Sequence, residues 1–127
     1  MEEKVILVLE DEIPLLNAIK KKLETEGCTV VTARSVEQGM EYLEELDHID
    51  AIWLDHYLLG KESGLDFVNK IKADESPWKK VPVFVVSNTA SQDKVNQYLN
   101  LGVEKYYIKA EHRLEKIVED MKESLLN

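Results

Sequence analysis

The chain is poor in the residues that build disulfide scaffolds, metal clips and irregular loops. Its 127 residues include one cysteine, three prolines and five glycines. A lone Cys28 cannot close an internal disulfide, and His48, His56 and His112 are scattered without metal-ligand spacing. Small extracellular scaffolds and zinc fingers are thereby excluded, and a cytoplasmic protein is the expectation. No apolar run approaches the roughly 20 residues of a membrane helix. The acidic opening Met1-Glu2-Glu3-Lys4 does not resemble a secretory leader. Basic excess is also missing: 16 Lys and Arg against 25 Asp and Glu leave a net charge of −9. Such a chain repels phosphate backbones, so direct nucleic-acid binding is not expected.

What is present is a globular balance, 44% apolar and 32% charged. The length suits one domain over residues 1–127, with room for one hydrophobic core and no second unit. Repeats, low-complexity tracts and linker-like stretches are missing.

Two kinds of segment alternate. Val5-Ile6-Leu7-Val8-Leu9 is an unbroken apolar run, the pattern of a strand buried on both faces. Leu15, Leu16, Ile19 and Leu23 recur at helical spacing, with Pro14 suited to a first turn and Gly27 to a C-terminal cap. Thr29 to Ala33 reads as a second strand. Ser35-Val36-Glu37-Gln38 has the form of a capping box, opening a helix with Val36, Met40 and Leu43 on one face. Ala51 to Leu54 is a third strand, followed by a loop with Gly60 and Gly64 and a helix carrying Leu65, Val68 and Ile71. Val81 to Val86 is a fourth strand. Val95, Tyr98 and Leu99 mark the next helix, which stops near Gly102. Lys105 to Ile108 is the fifth strand, and Leu114, Ile117, Val118, Met121 and Leu125 give the last helix its core face. Trp53 is expected in the core, Trp78 packed in the loop before the fourth strand, and Cys28 as a structural residue at a strand entry.

Five successive βα units predict an α/β fold, a doubly wound five-stranded parallel sheet with helices on both faces. In such sheets the binding crevice lies beyond the carboxyl ends of the strands, at the switch in strand order. Those ends carry Glu10, Asp11 and Glu12 after the first strand, Asp55 after the third, Ser87, Asn88 and Thr89 after the fourth, and Lys109 after the fifth. A strand order of 2-1-3-4-5 brings Glu10, Asp11, Asp55, Ser87 and Lys109 into one crevice.

Crowded carboxylates repel one another and take up protons unless a cation intervenes. The donors are all oxygen, which favours Mg2+ over zinc. A carboxylate can attack phosphorus to form an aspartyl-phosphate, with an ammonium and a hydroxyl neutralising the transferred group. Each residue also has a plainer reading. Asp11 can cap the first helix, Ser87 or Thr89 the fourth; Asp55 can be a turn residue, and Glu10, Glu12 and Lys109 solvated charges. The coincidence of all of them, in order on a five-fold βα pattern, is what points to phosphoryl transfer.

The motifs Val8-Leu9-Glu10-Asp11-Glu12, Leu54-Asp55, Gly64-Leu65-Asp66, Pro82-Val83-Phe84-Val85-Val86-Ser87 and Tyr106-Tyr107-Ile108-Lys109 resemble those of bacterial response-regulator receiver domains, and the likeness spans essentially the whole chain. The resemblance implies a flavodoxin-like (βα)5 fold and a switch in a two-component phosphorelay. It implies that Asp55 accepts phosphoryl from a histidine kinase or histidine phosphotransfer protein. Asp11 would ligate Mg2+, with Mn2+ a possible substitute, and Glu10 would act through water. Asp55 and the Tyr57 backbone carbonyl would complete the protein ligands. Ser87 matches the switch hydroxyl, Lys109 the lysine that pairs with the phosphoryl group, and Tyr106 the aromatic switch. Tyr57 and Thr89 would border the path of the hydrolytic water. The protein would catalyse its own phosphorylation and dephosphorylation without being a turnover enzyme.

Output would come by protein contact through the fourth helix, fifth strand and fifth helix, from a monomer or weak homodimer. The sequence departs from the family pattern in three places. Ala110 follows Lys109 where proline is usual, so a trans bond is expected there. The Asp55–Gly64 segment is one residue longer, with Leu59 where proline is common, and His56 stands where an apolar residue is commoner. Two competing readings are a degenerate receiver serving as a scaffold and a flavodoxin-like cofactor binder. The second calls for a phosphate loop after the first strand, where this chain has Glu10-Asp11-Glu12.

Overall fold

The computed structural model describes residues 3–89 and 91–126. Strands β1 (Val5–Leu9), β2 (Thr29–Ala33), β3 (Ala51–Leu54), β4 (Val83–Ser87) and β5 (Lys105–Ile108) alternate with helices α1 (Ile13–Thr25), α2 (Val36–Glu45), α3 (Gly64–Ile71), α4 (Gln92–Asn100) and α5 (Leu114–Leu126). All pairings are parallel and the order is β2-β1-β3-β4-β5.

The apolar runs work because side chains alternate across a strand and both faces are covered. Ile6, Val8, Ala51, Trp53, Phe84, Val86 and Tyr107 face α1 and α5, meeting Leu16, Ile19, Leu23, Ile117, Val118 and Met121. Leu7, Leu9, Ile52, Leu54, Val83 and Val85 face the other way, onto Val36 and Leu43 of α2, Phe67, Val68 and Ile71 of α3, and Tyr98 of α4. Trp53 is buried as expected, and Trp78 packs from its loop against the second face. Cys28 is buried, which pushes its thiol pKa up.

Several local expectations shift. The fourth strand begins at Val83 rather than Val81, because Val81 closes a turn onto the Trp78 carbonyl at 3.1 Å. It ends on Ser87 instead of Val86. Leu99 lies on the exposed side of α4: adjacent helical positions point about 100° apart, and Tyr98 holds the core position. Ser35 caps α2 by accepting from the Gln38 N–H, but the Gln38 side chain reaches back to the Arg34 N–H at 2.8 Å, not to Ser35. The reciprocal capping box occurs instead at α3, between Ser63 and Asp66. Glu12, not Asp11, is the N-cap of α1, without a side-chain bond, and Ser91 caps α4. The capping readings of Asp11, Ser87 and Thr89 therefore fail. Gly27 and Gly102 follow α1 and α4 with φ of 91°, a conformation other residues adopt at a cost. No peptide bond between described residues is cis, so Lys109–Ala110 is trans, inside a short 3₁₀ turn over Lys109–Glu111.

Candidate functional site

The site forms where β1 and β3 lie side by side and their following connections part to opposite faces. Leu9 pairs with Leu54, so the next residues, Glu10 and Asp55, leave the sheet together. The Glu10 N–H is held by the Ala33 carbonyl at 3.0 Å and the Asp55 N–H by the Leu9 carbonyl at 2.9 Å. Ser87 pairs with Ile108 in the last register position of β4 and β5, which sets Lys109 just beyond.

Glu10 is fully buried and Asp55 is 3% exposed. The Lys109 ammonium stands between them, 2.8 Å from Glu10 Oε1 and 2.9 Å from Asp55 Oδ2. Glu10 Oε2 accepts from the Glu12 N–H at 3.0 Å. Asp55 Oδ1 accepts from the Tyr57 N–H at 3.4 Å. Asp11 is half-buried, and its carbonyl accepts from Arg34 Nη2 at 2.7 Å and Nε at 3.0 Å, which fixes the β1–α1 connection. Ser87 is buried and its Oγ accepts from the Thr89 N–H at 3.5 Å. Tyr106 is half-buried, and its hydroxyl donates to the Thr89 carbonyl at 2.8 Å. Tyr57 is 57% exposed, with its ring edge-on to His56 at 4.9 Å.

The electrostatics follow from crowding. Glu10, Asp11 and Asp55 can each offer a carboxylate oxygen within 4.8 Å of one another. Burial pushes Glu10 up to about 7 against the pull of Lys109 and the Glu12 N–H, and the Asp55 charge adds to the rise. Burial works against the Lys109 ammonium too, but its contacts with Glu10 and Asp55 outweigh it and hold its pKa above the ordinary lysine value. One ammonium lies against two of the three carboxylates. An all-oxygen cluster of three carboxylates, with one ammonium against two of them, fits a hard divalent cation.

The family model for the response regulator receiver domain matches residues 6–122. The chain belongs to the response regulator receiver domain family. Its general function is therefore that of a two-component phosphorylation switch. The chain is 33% identical over 104 residues to the alginate biosynthesis transcriptional regulatory protein AlgB of Pseudomonas putida, covering 82% of this chain and 22% of that protein. It thus spans about a fifth of the length of the curated relatives it first matches. It is 28% identical over 106 residues to the chemotaxis protein CheY1 of Helicobacter pylori, covering 82% of this chain and 83% of that one. The crystal structure of the phosphorylated cyanobacterial phytochrome response regulator RcpA superposes with a TM-score of 0.84 at 28% identity, over 98% of this chain and 95% of that one. The expected flavodoxin-like order 2-1-3-4-5 is the order found in this receiver.

Two features of this receiver site lay outside the reach of sequence patterns. Arg34, on the β2–α2 connection, braces the Asp11 backbone from 23 positions away. His56 Nδ1 and the Tyr98 hydroxyl share a buried hydrogen bond of 2.6 Å. Burial and the Lys94 charge hold His56 below the usual histidine range, and burial also pushes the Tyr98 phenol up. The one signal for this pair was His56, which stands where the family pattern commonly has an apolar residue; Tyr98 read only as part of a helix face. Among the described residues no helix is long and apolar enough to cross a membrane.

Proposed function

We propose that Asp55 is the phosphoacceptor of this receiver and that Mg2+, or Mn2+ in its place, binds at Glu10, Asp11, Asp55 and the Tyr57 backbone carbonyl. The observation that carries this reading is the convergence of Glu10, Asp11 and Asp55 on one point with a single ammonium to balance them. An Asp55 carboxylate oxygen attacks the phosphorus of a phosphohistidine on a histidine kinase or phosphotransfer protein. The P–O bond forms as the P–N bond breaks, and the leaving imidazole takes up a proton. The cation, when bound, neutralises charge on the phosphoryl oxygens. Lys109, already 2.9 Å from Asp55, supplies a second positive charge to the same group.

The buried Ser87 hydroxyl donates to a phosphoryl oxygen, leaving the Thr89 N–H it now accepts from. Tyr106 is tied to Thr89 on the same connection, so a change at Ser87 reaches the β5 surface through it. Output passes by protein contact through the face of α4, β5 and α5. Tyr57 and Thr89 flank the approach of the hydrolytic water and set the lifetime of the phosphorylated state; bulky Tyr57 provides most of the cover, and decay is slow.

The test is transfer of labelled phosphoryl from acetyl phosphate or a histidine kinase, with and without Mg2+. Labelling is expected in the wild type, to be lost on chelation and in Asp55→Asn. Full labelling of the Asn variant refutes the assignment. Mg2+ binding without labelling by any donor would make the chain a scaffold instead.

A further inference from the structure

The acceptor strand end is joined to α4 by a contact that involves neither Ser87 nor Tyr106. His56 directly follows Asp55, and its ring is bonded to the Tyr98 hydroxyl at 2.6 Å with both residues buried. Gly64, the first residue of α3, is pressed into the same point. Its N–H donates to the His56 carbonyl at 2.9 Å, and a Cβ there would lie 2.5 Å from the Asp55 carbonyl oxygen and 2.8 Å from the Tyr98 hydroxyl oxygen. The Tyr98 ring in turn rests against Tyr106 at 5.6 Å. Tyr98 is thus the one described α4 side chain fully enclosed by the domain, and it touches both the acceptor segment and the β5 aromatic. A buried hydrogen bond cannot be traded for water, so either partner that moves takes the other with it or leaves a polar group unsatisfied.

We propose that Tyr98 is a positioning residue that couples the state of Asp55 to α4 through His56, alongside the path through Ser87 and Tyr106. A phosphoryl group on Asp55 adds bulk and charge to a segment packed without slack against Gly64, and the shift of the Asp55–His56 backbone is delivered to the C-terminal half of α4. The inference rests on the reading of Asp55 as phosphoacceptor.

The experiment compares amide hydrogen exchange at residues 92–100 with and without acetyl phosphate and Mg2+, in wild type, Tyr98→Phe, His56→Leu and the double variant. Labelling of Asp55 is measured in the same samples. Tyr98→Phe removes one oxygen and keeps the ring against Tyr106. Labelling should be retained in each variant, while the exchange response of α4 falls about fivefold or more, the low end of site-to-site coupling. The double variant separates coupling from simple support. Removing both polar groups together restores melting temperature relative to the single variants, because neither is left unpartnered, yet the α4 response stays lost. A double variant that regains the wild-type response along with its stability overturns the inference, as does a full response in Tyr98→Phe; both leave the acceptor assignment intact. Absence of labelling in the wild type overturns the acceptor assignment and this inference with it.

Discussion

Gly64→Ala should destabilise the domain severely, even though alanine is the better helix former. At the first position of α3 the helix gains at most about 1 kcal/mol from the exchange. Against this, the new Cβ would sit 2.5 Å from the Asp55 carbonyl oxygen, 2.8 Å from the Tyr98 hydroxyl and 3.0 Å from His56 Cα, where ordinary contact begins at 3.4 Å. Two of these three atoms are backbone and cannot rotate away. The third is an end of the buried His56–Tyr98 bond. Overpacking of this kind typically costs about 1–3 kcal/mol, and the rigidity of the partners puts this case at the upper end, about 3 kcal/mol.

For a chain of 127 residues, that corresponds to a melting temperature about 11 °C lower. Gly39→Ala is the internal control. Its new Cβ would meet Leu9 Cδ2 at 2.8 Å and Phe67 Cε1 at 3.2 Å, both side-chain atoms that can shift, in a helix interior where alanine gains about 1 kcal/mol. Calorimetry and urea titration of both variants should place Gly64→Ala at least about 1.5 kcal/mol below Gly39→Ala. A Gly64→Ala protein within about 0.5 kcal/mol of wild type would refute the packing account of the acceptor segment.

Mg2+ at about a hundredfold over its Kd should raise the melting temperature by about 10 °C, and Asp11→Asn should remove most of that rise, as read by thermal shift with and without chelator. An equal rise in the variant would show that the ion binds elsewhere. Tyr57→Asn should speed decay of the phosphorylated protein about tenfold, a barrier change of about 1.4 kcal/mol, in a chase after removal of the donor. Equal or slower decay would refute the covering role of Tyr57. Asp120 accepts from the Tyr107 hydroxyl at 2.8 Å and from Lys116 Nζ at 2.9 Å. The Lys116 contact, against an opposing effect of burial and with help from Tyr107, holds the Asp120 carboxyl below the usual aspartate range. A depressed folded pKa contributes stability above the unfolded value of about 3.9, and that contribution is lost as pH falls through the folded pKa. The acid limb of melting temperature against pH should therefore be shallower in Asp120→Asn than in wild type, and identical slopes would count against the pairing.

Much of this receiver was legible in its sequence because the signals are local. Unbroken apolar runs such as Val5–Leu9 mark strands covered on both faces, and Leu16, Ile19 and Leu23 mark a helix by spacing alone. Residues at or just after the carboxyl ends of such strands must sit at one edge of a parallel sheet, so Glu10, Asp55, Ser87 and Lys109 could be gathered before any distance was known. What could not be read was what packing decides, whether between neighbouring candidates or between residues far apart in the chain. Whether Tyr98 or Leu99 faces the sheet, whether Asp11 or Glu12 ends the turn into α1, and which N–H the Gln38 side chain reaches are settled by packing, not propensity. His56 and Tyr98 are 42 positions apart; alone, His56 looks like a polar residue out of place and Tyr98 like an ordinary residue of a helix face. Only when β3, α3 and α4 close on one another does the same enclosure that would penalise each polar group singly turn the two into a bond.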